Sequence, residues 1–473
     1  MIRAILILAF LSLVATVPAR PPNVIIIYTD DHGTLDAGCF GAADLHTPNI
    51  DRLAREGVRF TQAYAHTFCC PSRAALLTGR HPQRSGVNHW TQGDMKGEPG
   101  VNMYLDERTL AEVLKADGYR TALMGKWHLG ADRDHGPTKQ GFDEFFGLRG
   151  GFIDNYNHFF LQGEGYHDLF EDTREYWAKG NYFPELMTDR ALDFIWTNRD
   201  QPFFLYLAFN TPHYPEQPRP EDLKRFDHLS EPRRTYAAFL ATTDALIGRV
   251  LERLDRLGLD RDTIVVFMGD NGHQSYESFE FFQIQIDNHA SGLPKGHRFS
   301  SGDAPNPGGG HTGKWIGHKG TFFEGGIRVP AILRYPERIP AGIVRQQTIT
   351  TMDWYPTILE LCGVALPEVK LDGRNLMPVI ESANAPTSHP VLYFQWQNKW
   401  MVREGDWKLI RQKGNRATAG ERFYLHNLAE ANPETKDHLK DKPLIAERLK
   451  RLHAAFEKDV LAGQPVRYWE RTD

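Results

Sequence analysis

The sequence is poor in cysteine and carries no excess of positive charge. Four cysteines stand among 473 residues, which is too few for a disulfide scaffold, so a hydrophobic core must hold the fold. Lysine and arginine number 55 against 60 acidic residues, a formal net charge of −5, and this balance offers no overall basic field for nucleic acid. We therefore expect no nucleic-acid partner, and any anionic ligand must be captured by local groups.

Long apolar segments are also lacking, apart from a short one at the N-terminus. Residues 4–11 are apolar, follow a charged start and precede a run of small residues, which is the pattern of a secretory signal peptide over residues 1–20. This run is shorter than the roughly 20 residues that a membrane-spanning helix needs. The sequence therefore predicts a secreted or periplasmic protein without a membrane anchor.

Short apolar runs alternate with helical segments along the chain. The predicted strands are 23–28, 121–124, 203–209 and 262–268. They are rich in apolar residues without polar alternation, as in strands buried on both faces of a parallel sheet. Helices are predicted for 109–117 and 236–257. We therefore predict an α/β fold with a mostly parallel central sheet sandwiched by helices.

Acidic and amide side chains follow two of these strands. Asp30 and Asp31 come after the first, and Asp270 and Asn271 after the last. Open α/β sheets bind ligands at the carboxyl ends of their strands. A lone acidic residue there often only caps a helix, but two adjacent ones, Asp30 and Asp31, weaken that interpretation. Oxygen ligands without thiolates or closely spaced histidines favour Ca²⁺ or Mg²⁺ over zinc.

Basic side chains follow the other predicted strands or a glycine-rich turn. They are Lys126, His128, His213 and Lys319. Each taken alone is more often a solvated surface residue. Because the ends of parallel strands lie along one edge of a sheet, we expect these side chains to surround the same point as the acidic pairs.

One segment identifies a family. Residues 69–80 read CCPSRAALLTGR, which resembles the signature of the type I sulfatases, C-x-P-S-R-x-x-x-L-T-G-R, at every fixed position. Further segments resemble sulfatase blocks in the family's order: DDHG at 30, GKWHLG at 125, TPHYP at 211, GDNG at 269 and HKGTFFEGGIRVP at 318. The resemblance implies an alkaline-phosphatase-like catalytic domain over 22–380, and 388–473 is similar to the family's small C-terminal subdomain.

The resemblance implies a sulfuric ester hydrolase with a modified cysteine. In the family, a formylglycine-generating enzyme oxidises the first cysteine of the signature, here Cys69, to Cα-formylglycine during export. Cys70 then fills the variable second position. The alternative interpretation of the two cysteines, a buried vicinal pair or a strained disulfide, is weakened by the agreement along the whole signature.

The family pattern also assigns roles to the residues at the strand ends. The implied metal ligands, for Ca²⁺ or alternatively Mg²⁺, are Asp30, Asp31, Cys69, Asp270 and Asn271. Hydrated formylglycine attacks sulfur, and the diol's second hydroxyl, deprotonated by His128, expels sulfate. Arg73 orients the diol, while Lys126 and Lys319 contact sulfate oxygens. His213 contacts sulfate or protonates the leaving alcohol, and the choice of acid between His213 and Lys319 stays open.

Two regions are candidates for the wall of the substrate pocket. The segment 273–318 links two of the sulfatase blocks and is longer than compact domains tolerate without a function; solvated loop residues explain its histidines better than a zinc site does. The pair His89 and Trp90 is the second candidate, because tryptophan stacks on sugar or aryl faces. Asp154 or Tyr156 contributes to substrate contact, or that region contributes nothing.

These features favour a sulfated carbohydrate as substrate. The alternatives are an aryl sulfate, or a phosphate or phosphonate monoester hydrolysed by an enzyme of the same superfamily.

Beyond residue 388, short strands at 390–396, 399–403 and 406–411 predict a small antiparallel sheet. A helix at 443–461 is expected to pack on it.

Overall fold

A computed structural model gives the structure of the chain and describes residues 20–91, 101–160, 166–275, 308–413 and 421–462. The predicted signal peptide, except its last residue, and most of the segment 273–318 lie outside these ranges. The predictions made for them therefore stay predictions. In the described ranges, no helix is both long enough and apolar enough to cross a membrane.

A large sheet of eleven strands runs through the described part of the chain. Its strands are β1 (Asn23–Thr29), β2 (Val58–Tyr64), β3 (Arg120–Lys126), β4 (Glu144–Leu148), β5 (Phe170–Glu171), β6 (Arg174–Glu175), β7 (Phe203–Ala208), β8 (Thr263–Gly269), β9 (Arg328–Arg334), β10 (Ile343–Arg345) and β11 (Ile349–Thr350). They lie in the order β10-β2-β9-β8-β1-β7-β3-β4-β5-β6, with β11 also paired to β2. The central run from β8 to β4 is parallel, whereas β9 is antiparallel to both of its neighbours. The predicted mostly parallel sheet is confirmed.

Strands β1, β7 and β8 are buried along their whole length. In β1, Val24, Ile26 and Tyr28 enter one hydrophobic core, while Ile25 and Ile27 enter a second core on the opposite face. Successive side chains of a strand point to opposite faces, so a strand covered on both sides needs an unbroken apolar run. This is why the sequence of β1 shows no polar alternation.

Helices lie on both faces of this sheet and, near the end of the described chain, on a second sheet. They are α1 (Pro48–Glu56), α2 (Cys69–Thr78), α3 (Leu110–Ala116), α4 (Phe183–Thr197), α5 (Pro220–Lys224), α6 (Arg233–Leu257), α7 (Glu324–Ile327), α8 (Trp354–Cys362), α9 (Met377–Glu381) and α10 (Pro443–Val460). Helices α2, α3 and α8 pack into one core, and α1, α4 and α6 into the other. Helix α3 begins at a capping box between Thr109 and Glu112, which explains its predicted start. Helix α6 begins at Arg233, before the predicted residue 236.

A second, antiparallel sheet lies in the C-terminal part of the chain. It consists of β12 (Val391–Trp396), β13 (Lys399–Glu404), β14 (Trp407–Lys413) and β15 (Glu421–Asn427). Helix α10 packs on it through Ala446 and Leu449. Three of the strands and the helix were predicted. The fourth, β15, was missed because its charged and half-exposed residues interrupt the apolar pattern. The boundaries 22–380 and 388–473 stay a prediction.

Candidate active site

The predicted site residues lie at the carboxyl end of the parallel strands. Asp30 and Asp31 follow β1, Lys126 ends β3, His213 comes a few residues after β7, and Asp270 follows β8. All five side chains are buried. The topology therefore brings together residues that are far apart in the sequence, as expected for the ligand-binding edge of an open α/β sheet.

Helix α2 delivers Cys69 and Arg73 to the same point. The two residues are four positions apart and lie on one face of the helix. The Cys69 thiol donates to Asp30 Oδ1 at 3.2 Å. The Arg73 guanidinium donates to Asp270 Oδ2 through Nε at 3.1 Å and Nη2 at 2.8 Å, and to the Lys126 carbonyl oxygen at 3.0 Å. Arg73 thus joins the ends of β3 and β8 to the helix that carries Cys69.

Positive and negative side chains alternate around this point. Lys126 Nζ pairs with Asp30 Oδ2, and Lys319 Nζ pairs with Asp31 Oδ1 at 2.7 Å. We call the charged residues here the strand-end cluster, which consists of Asp30, Asp31, Asp270, Arg73, Lys126 and Lys319. Burial alone would raise the pKa of Asp30, but the neighbouring cations, Lys126 foremost, hold it well below its usual range. Asp30 is therefore a carboxylate.

Two oxygen atoms at the cluster have no hydrogen-bond partner in the described part of the chain. The Asn271 amide donates to Asp31 Oδ1 at 2.7 Å and to the Gly272 carbonyl oxygen at 2.8 Å, which leaves Asn271 Oδ1 and Asp31 Oδ2 buried and unpartnered. Burial and the Asp30 carboxylate raise the pKa of Asp270 to about 7 despite the Arg73 contact. Unpartnered buried oxygens are costly, and a cation held among them would remove that cost.

Four side chains of the kinds that bind metal ions lie together at the site, and Asp31 is one of them. One ligand atom each from Asp30, Asp31, Cys69 and His213 lies within 4.8 Å of the others, and all four residues are buried. Asp270 is not among the four, and Arg73 occupies one of its oxygens. His213 takes a place in this group that the sequence analysis did not give it. Besides the Cys69 sulfur and one imidazole nitrogen, the potential donors here are carboxylate oxygens and the amide oxygen of Asn271, and such oxygens fit a hard divalent cation.

The two histidines of the site are held in different ways. His213 Nδ1 donates to the Tyr214 carbonyl oxygen at 2.5 Å, so the lone pair of Nε2 faces Asp31 Oδ2 at 3.7 Å. Burial and Lys319 lower the pKa of His213 to about 4. His128 has no hydrogen-bond partner on either ring nitrogen among the described residues. Burial, Lys126 and Arg73 hold its pKa well below the usual range, so its imidazole is neutral.

Aromatic rings from distant parts of the sequence border the site. The Trp90 ring stacks parallel to His128 with centroids 6.2 Å apart. Phe68 and Trp396 contact Trp90 with centroid distances of 4.7 and 5.3 Å. We call Phe68, Trp90 and Trp396 the aromatic wall. Sequence reasoning found Trp90 but missed Trp396, because Trp396 comes from β12 and no local signal links it to the site.

The segment after β4 contributes a different residue from those that we expected. Phe152 stacks on His213 with centroids 5.2 Å apart. Asp154 accepts from the backbone N–H groups of Tyr156 and Asn157 at 2.9 and 2.7 Å, so its carboxylate serves a local turn. The Tyr156 ring packs on Tyr182. The prediction that Asp154 or Tyr156 contacts substrate stays a prediction.

Fold and site together define a hydrolase of the alkaline-phosphatase-like class. The chain belongs to the sulfatase family, because a family model described as Sulfatase matches residues 22–364. A second model, described as N-sulphoglucosamine sulphohydrolase, C-terminal, matches residues 313–459. The predicted sulfatase family and sulfatase activity are confirmed.

Individual relatives agree with this membership. The chain is 33% identical over 427 residues to N-acetylgalactosamine-6-sulfatase of Mus musculus, covering 85% of this chain and 74% of that protein. It is 32% identical over 429 residues to arylsulfatase A of Homo sapiens, covering 82% and 75%. The solved structure of Ps i-CgsB in complex with k-i-k-neocarrahexaose aligns with a TM-score of 0.77 at 28% identity, covering 96% of each chain.

Proposed function

We propose that this sulfatase removes sulfate from a carbohydrate, using a Cα-formylglycine made from Cys69 and a Ca²⁺ ion held at the strand-end cluster. The observation that carries the proposal is the position of Cys69. It lies at the first turn of α2, with its thiol on Asp30 and with Lys126 and Lys319 bound to the neighbouring carboxylates.

The unmodified thiol is unsuited to nucleophilic attack in this environment. Burial and the Asp30 carboxylate raise the pKa of Cys69 well above its usual value, and a neutral thiol is a weak nucleophile. A hydrated formylglycine supplies an oxygen nucleophile and a second hydroxyl that allows sulfate release. The environment of Cys69 therefore supports its role as a precursor, made competent by a formylglycine-generating enzyme.

The proposed metal ligands are Asp30, Asp31, Asp270, Asn271 and the modified residue 69. Unpartnered oxygens on Asp31 and Asn271 support this assignment. An all-oxygen set favours Ca²⁺, with Mg²⁺ as the second choice. A bound cation would add positive charge to this site and so help to neutralise the charge of a sulfate ester.

The remaining charged residues would act on the substrate directly. Lys126 and Lys319 are proposed to bind sulfate oxygens, with Arg73 fixing residue 69. His128 is proposed as the base, because its imidazole is neutral and both ring nitrogens lack partners in the described structure. His213 or Lys319 is proposed to donate the proton to the leaving alcohol, and His213 could do so only after gaining a proton on Nε2.

Carbohydrate is the substrate class that the surroundings favour. The aromatic wall stands beside His128, and rings of this kind stack on sugar faces. N-acetylgalactosamine-6-sulfatase, by its name, acts on a sulfated sugar, and Ps i-CgsB was solved with a neocarrahexaose. An aryl sulfate is the alternative, suggested by the similarity to arylsulfatase A.

We further propose export by residues 1–20 and a catalytic domain over 22–380 followed by a C-terminal subdomain over 388–473.

Two measurements test the proposal. Mass spectrometry of the tryptic peptide 60–73 from active enzyme is expected to show formylglycine at position 69 and cysteine at position 70. An intact thiol at position 69 in fully active enzyme would refute the proposed mechanism. Defined sulfated saccharides, nitrophenyl sulfate and nitrophenyl phosphate are then compared by kcat/KM. We expect a saccharide to lead and the phosphate to trail, and a lead for nitrophenyl sulfate would reject the carbohydrate assignment.

A further inference from the structure

A buried lysine of the C-terminal sheet lies outside the roles proposed above. Lys408 is on β14 and is fully buried. Its ammonium group lies 2.8 Å from Glu324 Oε1 and 2.9 Å from Glu434 Oε1. We call these three residues the Lys408 cluster. A buried ammonium needs such partners, because an unpaired charge in the interior is very costly.

The Lys408 cluster fixes the segment that carries Lys319. Glu324 comes five residues after Lys319, and its backbone N–H donates to both carboxylate oxygens of Glu434, at 3.0 and 2.9 Å. The same segment is tied at its beginning, where the N–H groups of Lys319 and Gly320 donate to the carbonyl oxygens of His273 and Thr67. The segment is therefore held at both ends.

The same glutamate is tied to the strand that leads to Cys69. Glu324 Oε2 accepts from the Tyr64 hydroxyl at 2.7 Å, and Tyr64 ends β2, five residues before Cys69. Arg403 of β13 donates to the same hydroxyl. Glu324 thus joins the C-terminal sheet to the segments that present Lys319 and Cys69.

We propose that Lys408, together with Glu434, is a positioning residue of the sulfatase reaction, which acts by holding the Lys319 segment so that the Lys319 ammonium stays on Asp31. The inference rests on the proposed role of Lys319 in binding sulfate. It makes the C-terminal sheet part of the active-site framework, although none of the three residues of the Lys408 cluster contacts the site.

The central test is a double-mutant cycle between Lys408 and Lys319 with nitrophenyl sulfate. Lys408→Met is expected to lower kcat about 10- to 100-fold through misplacement of Lys319, with little change in formylglycine content. If Lys408 acts through Lys319, adding Lys408→Met to Lys319→Ala costs at most about threefold more. Fully multiplicative losses would overturn the proposal, and so would a folded Lys408→Met enzyme with wild-type kcat.

Controls separate this proposal from the proposed function. Lys319→Ala alone tests the proposed role of Lys319 in binding sulfate, so full activity in that variant refutes that role and the positioning that depends on it. Low activity in Lys319→Ala together with wild-type kcat in a folded Lys408→Met enzyme refutes the positioning alone. Arg448→Ala removes a pair with Glu404 within the C-terminal unit and is expected to leave kcat unchanged. Thermal unfolding reports whether each variant is folded.

Two milder variants keep the test decisive if Lys408→Met does not fold. The double variant Lys408→Met with Glu434→Gln removes one buried charge of each sign. Glu434→Gln alone keeps an acceptor for the Glu324 N–H. Each is expected to lower kcat several-fold in wild-type enzyme but not in the Lys319→Ala background, and wild-type kcat in a folded Glu434→Gln enzyme would overturn the proposal.

Discussion

Two buried groups of charges, the strand-end cluster and the Lys408 cluster, differ in how completely their atoms are paired. In the Lys408 cluster every buried side-chain nitrogen and oxygen has a partner in the described structure. In the strand-end cluster Asp31 Oδ2 has no partner among the described residues, and beside the cluster Asn271 Oδ1 and both ring nitrogens of His128 have none either. Buried polar groups are normally satisfied, so the unpaired oxygens of Asp31 and Asn271 beside charged groups are consistent with a bound ligand, whereas the complete pairing of the Lys408 cluster fits a structural or positioning role.

The largest expected effect on activity comes from replacing Cys69, which lies against the strand-end cluster. Cys69→Ala is expected to lower kcat roughly 10⁴-fold or more, as removal of a catalytic nucleophile does in other hydrolases. Cys70→Ser is the matched control, because Cys70 lies in the core beside the His89 carbonyl oxygen. We expect it to retain kcat within about threefold. Equal losses in both variants would contradict the assignment of position 69.

Removal of the cation should be the next largest effect. Chelation is expected to lower kcat roughly 100- to 1000-fold, because a bound cation contributes several kcal/mol of charge stabilisation. Ca²⁺ should restore activity and raise the unfolding temperature, Mg²⁺ less so and Zn²⁺ least. Enzyme dialysed without chelator serves as the control. Tightly bound stoichiometric zinc in elemental analysis would count against the oxygen-ligated site.

Parts of both the fold and the site were predictable from sequence, for different reasons. Strands β1, β7 and β8 were found because burial on both faces requires unbroken apolar runs. Asp30 and Asp270 were brought together by topology alone, since parallel strand ends share one edge. Strand β15 and Trp396 were missed, because a half-exposed strand has a weak pattern and contacts between distant segments leave no local signal. The Lys408 cluster, whose partners are far apart in sequence, could not be predicted for the same reason.

A smaller effect concerns acid stability through the Lys408 cluster. Burial alone would raise the pKa of Glu324, but Lys408 and two arginines lower it to about 2. Because this folded-state pKa is below the ordinary 4.5, Glu324 stabilises the fold above about pH 4.5 and loses that contribution as pH falls toward 2. The pKa of Glu434 is raised, first by burial, and this opposes part of the effect.

We therefore expect a net loss of roughly 1–2 kcal/mol in the free energy of unfolding between pH 5 and pH 3 from the Lys408 cluster. Urea unfolding of wild-type and Glu324→Gln enzyme at several pH values measures it. The variant should be less stable at pH 6 and should show a weaker pH dependence below pH 5. Parallel curves for the two proteins would show that the cluster does not carry this dependence.

The smallest expected effect concerns the aromatic wall, where residues near the signature helix contact the C-terminal sheet. Trp90 follows the signature helix and Trp396 belongs to the C-terminal sheet, and their rings are in contact. If Trp90 stacks on a sugar, Trp90→Ala should raise KM for a sulfated saccharide up to about tenfold, since an aromatic contact contributes about 0.5–1.5 kcal/mol. Nitrophenyl sulfate should be affected less. Trp196→Ala is the matched control, because Trp196 is exposed on α4. A loss of kcat that is equal for both substrates would instead indicate that Trp90 serves mainly to orient His128, on whose ring it stacks.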